Sequence, residues 1–130
     1  MADLDIMTIH FQVAELVTKY NVAWDEGRFE DVSSCFTENG SFLDGMGNLH
    51  EGRTAIAEFG ARSTSIFGAM RHLTTNHSVT PNGFSWIHRC CLYFVSGIDG
   101  DKSSTTGRYD DEFILTDGGP LFTARRVYLD

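Results

Sequence analysis

An α+β domain, with three helices laid against a strongly curved and mainly antiparallel sheet, is predicted by three features of this 130-residue sequence. The first quarter carries apolar residues at helical spacing. The second half changes to long strand-like runs joined by short Gly/Asn/Asp turns. No linker, repeat or low-complexity tract separates the two, and the length suits one domain spanning residues 1–130.

The elements follow in order. Ile6, Ile9, Val13, Leu16, Val17, Tyr20 and Trp24 form one stripe at helical spacing, which predicts a helix from about Leu4 to Glu26, with Gly27 as its stop. A short second helix is expected over about 28–35, with Phe29, Val32 and Phe36 on its buried side. Asn39-Gly40 reads as a turn, Ser41–Asp44 as a short strand, and Gly45, Gly47 and Asn48 as another turn. A third helix is expected over about 54–67, with Thr54 as N-cap and Ile56, Phe59 and Ile66 on one face. Strands are then expected at 70–80, 84–96, 103–116 and 121–129, separated by Pro81-Asn82-Gly83, the loop 97–102 and Asp117-Gly118-Gly119. A sheet bent over a long helix leaves a cone with an open interior, which is where a ligand would sit.

Composition excludes several function classes. The net charge is −8 and the ten basic residues are scattered, so a phosphate backbone would be repelled and nucleic acid is not an expected partner. No run approaches the roughly 20 apolar residues that a membrane-spanning helix needs. The N-terminus is acidic where a signal peptide would be basic. The three cysteines, Cys35, Cys90 and Cys91, lack a disulfide framework, and Cys90 and Cys91 should face opposite sides of a strand. A cytoplasmic protein is expected.

Two residues suggest proton transfer. Asp25 falls in the last turn of the first helix, where the macrodipole disfavours a carboxylate, and Tyr20 and Trp24 lie on nearby faces. His72 opens a strand and titrates near neutrality. Strict alternation would put His72, Thr74 and Asn76 on one face and His77 on the other. With His72 and His77 opposed and no Cys-x-x-Cys or His-Glu-x-x-His, no metal site and no cofactor are expected. In the last strand, alternation places Arg126 with Phe122, Ala124 and Tyr128, and a buried arginine requires an anion. One of Asp110 and Asp111 must likewise point inward.

The segments Tyr20-x-x-x-Trp24-Asp25, Cys35-Phe36-Thr37-Glu38-Asn39-Gly40, Gly52-Arg53-x-x-Ile56, Arg71-His72-x-x-x-Asn76 and Gly107-x-Tyr109-x-Asp111 together resemble the SnoaL-like branch of the nuclear transport factor 2-like superfamily. The resemblance spans nearly the whole chain and implies a cone-shaped α+β barrel of the cystatin-like type. Scytalone dehydratase and lindane dehydrochlorinase are the members it most resembles. In these enzymes an Asp at the end of the first helix orients a strand His that abstracts a proton. By that resemblance Asp25 and His72 are the catalytic pair, and Arg126 and Tyr20 polarise the substrate. Trp24, Phe42, Asn76, Tyr109, Asp111 and Tyr128 are then expected to contact it. The implied activity is a cofactor-independent lyase of the dehydratase type, acting on a small hydrophobic cyclic molecule. An isomerase or cyclase in the same pocket, or a binding or assembly module without catalysis, are the alternatives. Strands 84–96 and 103–116 carry apolar residues on both faces, which predicts a homodimer or homotrimer.

Overall fold

The stripe on the first helix becomes the spine of the core in the computed structural model, which describes residues 5–130. Helix α1 runs Ile6–Asp25, and Ile9, Val13, Val17 and Tyr20 are each at most 1% exposed. Each aliphatic side chain buried in this way contributes about 1.5–3 kcal/mol. The Asp5 carboxylate caps the helix by accepting from the Thr8 N–H at 2.8 Å. Gly27, at φ 74°, ends it as expected. The expected start at Leu4 lies outside the described residues.

Helix α2 (Phe29–Ser33) is shorter than expected, and α3 (Arg53–Phe67) is capped at Gly52 rather than at Thr54. The strands are β1 (Phe36–Leu43), β2 (Leu49–Glu51), β3 (Arg71–Asn82), β4 (Ser85–Ser96), β5 (Ser103–Thr116) and β6 (Gly119–Leu129). They form one sheet in the order β2-β1-β6-β5-β4-β3. Neighbours are antiparallel except β1 and β6, which run parallel. The sheet curves around α1 without closing, so the cone is open at its side.

Two corrections concern β1. Asn39-Gly40 is not a turn but lies inside the strand, at a break in register with β6 between Phe36 and Ser41. A Cβ on Gly40 would sit 3.0 Å from Phe36 Cβ and 3.1 Å from the Phe122 carbonyl, so glycine is needed for close backbone approach. The turn expected at Gly45–Asn48 is the hairpin, and it pairs β1 with β2, a strand not expected from the sequence.

Two β-bulges decide which residues face the interior. In β3 the register passes from Thr75↔Cys91 to Ser78↔Arg89, so β3 carries one extra residue. Asn76 takes the left-handed conformation there, at φ 60°. In β6 the register passes from Phe113↔Phe122 to Glu112↔Ala124, leaving Thr123 unpaired. Beyond each bulge the alternation is inverted.

Candidate functional site

At the C-terminal end of α1 the structure brings two distant residues together. His72 Nδ1 lies 2.6 Å from Asp25 Oδ1, and the His72 backbone N–H donates to both Asp25 oxygens at 3.1 Å. The pairing follows from local structure. The last turn of α1 aims Asp25 at the first residues of β3, whose leading N–H groups are not yet taken up by the sheet. The two side chains are 14% and 6% exposed. An imidazole whose Nδ1 faces a carboxylate carries its proton there, which leaves Nε2 as the ring's acceptor.

His72, but not Asp25, lies on the wall of a cavity of about 110 Å³ between the helices and the sheet. Tyr20, Trp24, Phe42, Phe59, Leu92 and Phe94 supply most of its apolar lining, with Met46 and Leu129 at its exposed edge. The His72 ring lies 5.0 Å from that of Phe94 and 5.7 Å from that of Trp24, centroid to centroid. Tyr20 and Tyr109 meet edge to face at 5.9 Å. Burial pushes the Tyr20 hydroxyl well above the usual phenol range and lifts Tyr109 to about 12, so both remain neutral donors.

Of the residues expected on sequence grounds, the cavity therefore gathers His72, Tyr20, Trp24, Phe42 and Tyr109, while Asp25 reaches it only through His72. Four others lie elsewhere. Arg126 is exposed, because the bulge at Thr123 turns Arg125 inward instead. The same inversion turns Tyr128 outward, where Arg108 stacks on it at 4.5 Å. Asn76 is exposed at the β3 bulge, and its amide reaches Cys91 Sγ on the outer face at 3.7 Å. Asp111 does face inward, but it lies away from the cavity.

Arg125 is fully buried. Its guanidinium stacks 3.5 Å from the Tyr109 ring centroid and 4.2 Å from that of Tyr20, on the side of these rings away from the cavity, and Nε lies 3.1 Å from Asp111 Oδ1. Asp111 Oδ2 in turn meets His88 Nδ1 at 2.7 Å, and His88 Nε2 meets His77 Nδ1 at 2.9 Å. His77 thus faces inward, contrary to strict alternation, because the bulge at Asn76 adds one residue. With Cys90 it forms a set of three potential ligands, whose atoms lie within 4.8 Å of one another. That cluster was not expected from the sequence. The Arg125 charge acts on both His77 and Cys90 and opposes a second cation there, and burial pushes the Cys90 thiol up to about 12.

Sequence reasoning also missed Asp44 and His50. Asp44 lines the cavity, is 2% exposed and accepts from the N–H groups of Met46 and Asn48 at 2.8 and 3.0 Å. His50 Nε2 lies 2.8 Å from its other oxygen, and the His50 ring stacks on Phe59 at 4.2 Å. Burial works to raise the Asp44 carboxyl, but His50 and the two N–H groups outweigh it and hold the group below the usual range. The readable signal was an acid and a histidine flanking the Gly45–Asn48 turn, since a hairpin brings such positions together.

Among the described residues no helix is long and apolar enough to cross a membrane. No curated protein matches the chain. Among solved structures, it superimposes on a Mycobacterium tuberculosis protein of unknown function with TM-score 0.82 and 25% identity, over 92% of this chain and 70% of that one. A provisionally assigned aromatic ring hydroxylase from Novosphingobium aromaticivorans gives TM-score 0.85 and 25% identity, over 97% and 92%. A provisionally assigned scytalone dehydratase from the same organism shares the fold at TM-score 0.83 and 15% identity, over 95% and 85%. Residues 7–126 match the SnoaL-like domain family, and the chain therefore belongs to that family.

Proposed function

We propose that the domain is a cofactor-independent lyase of the dehydratase type, in which His72 removes a proton from a small hydrophobic cyclic substrate. The observation that carries this reading is that His72, held through Nδ1 by Asp25 at 2.6 Å, lines an apolar cavity. Asp25 fixes the tautomer and steadies the imidazolium formed when Nε2 takes the proton, as a carboxylate does for a catalytic histidine elsewhere. The hydroxyls of Tyr20 and Tyr109, kept neutral by burial and bonded to one another, leave one O–H to donate to the oxygen on which charge develops. Arg126 has no part, and Arg125 acts only from behind the two rings.

A screen of cyclic alcohols and hydroxyketones, read by product mass, tests the reading. A product lighter by water supports a lyase, and an unchanged mass with a moved double bond makes the domain an isomerase. On a confirmed substrate His72→Ala lowers turnover by about 10²–10⁴-fold. Full activity in that variant overturns the assignment. The outer face of the sheet exposes Leu73, Tyr93 and Tyr128, which favours association through this face as a homodimer or homotrimer. Sedimentation as a monomer at micromolar concentration would rule that out.

A further inference from the structure

A second group of ligating side chains lies away from the cavity, and the chemistry proposed above makes no use of it. His77 on β3 and His88 and Cys90 on β4 each offer a potential ligand atom, and the three atoms lie within 4.8 Å of one another. None of these residues lines the cavity. His77 Nδ1 lies 2.9 Å from His88 Nε2. Asp111 Oδ2 accepts from His88 Nδ1 at 2.7 Å, so the lone pair of His88 rests on Nε2 and points at His77. A carboxylate behind an imidazole is the arrangement that orients metal-ligating histidines and raises their basicity. His88 and Cys90 are buried, while His77 is half-buried and gives the group a route to solvent. His77 joins only because the bulge at Asn76, with φ 60°, re-aims its side chain.

We propose that His77, His88 and Cys90 form a binding site for a soft monovalent metal ion of the copper(I) class. Thiolate and imidazole together suit copper and zinc, and charge decides between them. Arg125 is fully buried, its charge acts on both His77 and Cys90, and its Nε lies 3.1 Å from Asp111. The Cys90 thiol, pushed up to about 12 by burial, carries its proton. Binding exchanges that proton for the metal. The S–H bond breaks, the S–metal bond forms, the proton leaves to solvent and no electron moves. A monovalent ion therefore leaves the buried charge as it was. A divalent ion adds one positive charge beside Arg125, where burial disfavours it. The proton that His77 Nδ1 donates to His88 Nε2 moves to His77 Nε2, and both facing nitrogens then offer lone pairs. Metal–nitrogen and metal–sulfur bonds of about 2.0 and 2.3 Å together span about 4.3 Å, so the group needs only a slight contraction to hold an ion.

The test uses the full chain carrying Cys91→Ser, which removes the exposed thiol, reduced and kept free of oxygen. Copper(I) is supplied in competition with bicinchoninate, silver(I) serves as a redox-inert monovalent probe, and zinc(II) as the divalent comparison. Each titration is read at the histidine ring ¹⁵N resonances. The protein is expected to take a single copper(I) from bicinchoninate, with the His77 and His88 ring resonances moving together, and silver(I) to move the same resonances. Cys90→Ala should weaken copper(I) by more than about 100-fold, and His77→Gln by at least about 10-fold. His77 is half-buried, so His77→Gln keeps the test open if Cys90→Ala fails to fold. Three results overturn the proposal. One is bicinchoninate retaining all the copper. Another is binding that leaves the histidine resonances unmoved or survives undiminished in folded Cys90→Ala or His77→Gln, which places the metal on Cys35. The third is zinc(II) moving the same resonances at one equivalent, which removes the monovalent class.

Discussion

Two of the three Asp–His pairs, Asp25–His72 and Asp111–His88, have opposite fates. Asp25 at the end of α1 holds His72 through Nδ1, and His72 lines the cavity with Nε2 making no hydrogen bond among the described residues. Asp111–His88 is fully buried, with both imidazole nitrogens engaged, by Asp111 on one side and His77 on the other, and Arg125 closes the chain. The chemical groups are the same. The difference is whether the second nitrogen meets empty space or a protein partner, so pairing alone makes a rigid polar core, and pairing beside a cavity makes a candidate base.

Substitution of the two carboxylates should separate these roles. Asp111→Ala leaves the Arg125 charge buried without its partner and should lower unfolding free energy by about 3–5 kcal/mol in urea titration. Asp25→Asn keeps one acceptor for the His72 N–H and should cost only about 0.5–1.5 kcal/mol, while turnover falls far more. If the two stabilities change equally, the contrast between the pairs is wrong.

Acid should expose the closed end first. Burial, then the charges of His88, Arg125 and His10, hold the His77 imidazole below its ordinary value, with Asp111 pulling the other way. The unfolded chain then binds more protons than the native one. Stability is complete above about pH 6.5 and declines as pH falls through that value. Urea midpoints from pH 8 to pH 5 should show this decline, and His77→Gln should flatten it. The smallest effect is expected at Arg126. Exposed and clear of the cavity, it should change stability by no more than about 0.5 kcal/mol when replaced by alanine, with turnover intact. A loss of activity in Arg126→Ala would restore it to the site.

Much of this was legible in the chain. The stripe from Ile6 to Trp24 and the spacing of turns after Gly68 specify a long helix followed by a meander of strands, because burial of one face imposes a period of 3.6 or 2 on apolar residues. Asp25 and His72 were singled out by residue type, helix position and family pattern. Arg125 was not, because counting in twos from Phe122 selects Arg126, and His77 was assigned outward by the same count from His72. Both misreadings have one source. A β-bulge is a single residue long, and its signal in sequence is no more than an Asn able to adopt positive φ at 76, and nothing distinctive at Thr123.

The sequence by itself determined the helices, the four long strands, their order and the family, since these depend on local periodicity and on motifs within a few residues of one another. Only the tertiary structure decided which arginine is buried, that Asp44, held by His50, joins the cavity wall, and that Trp24 keeps an unpartnered N–H. These depend on register between strands and on where packing stops short of filling space, and both are set by contacts between residues far apart in the chain.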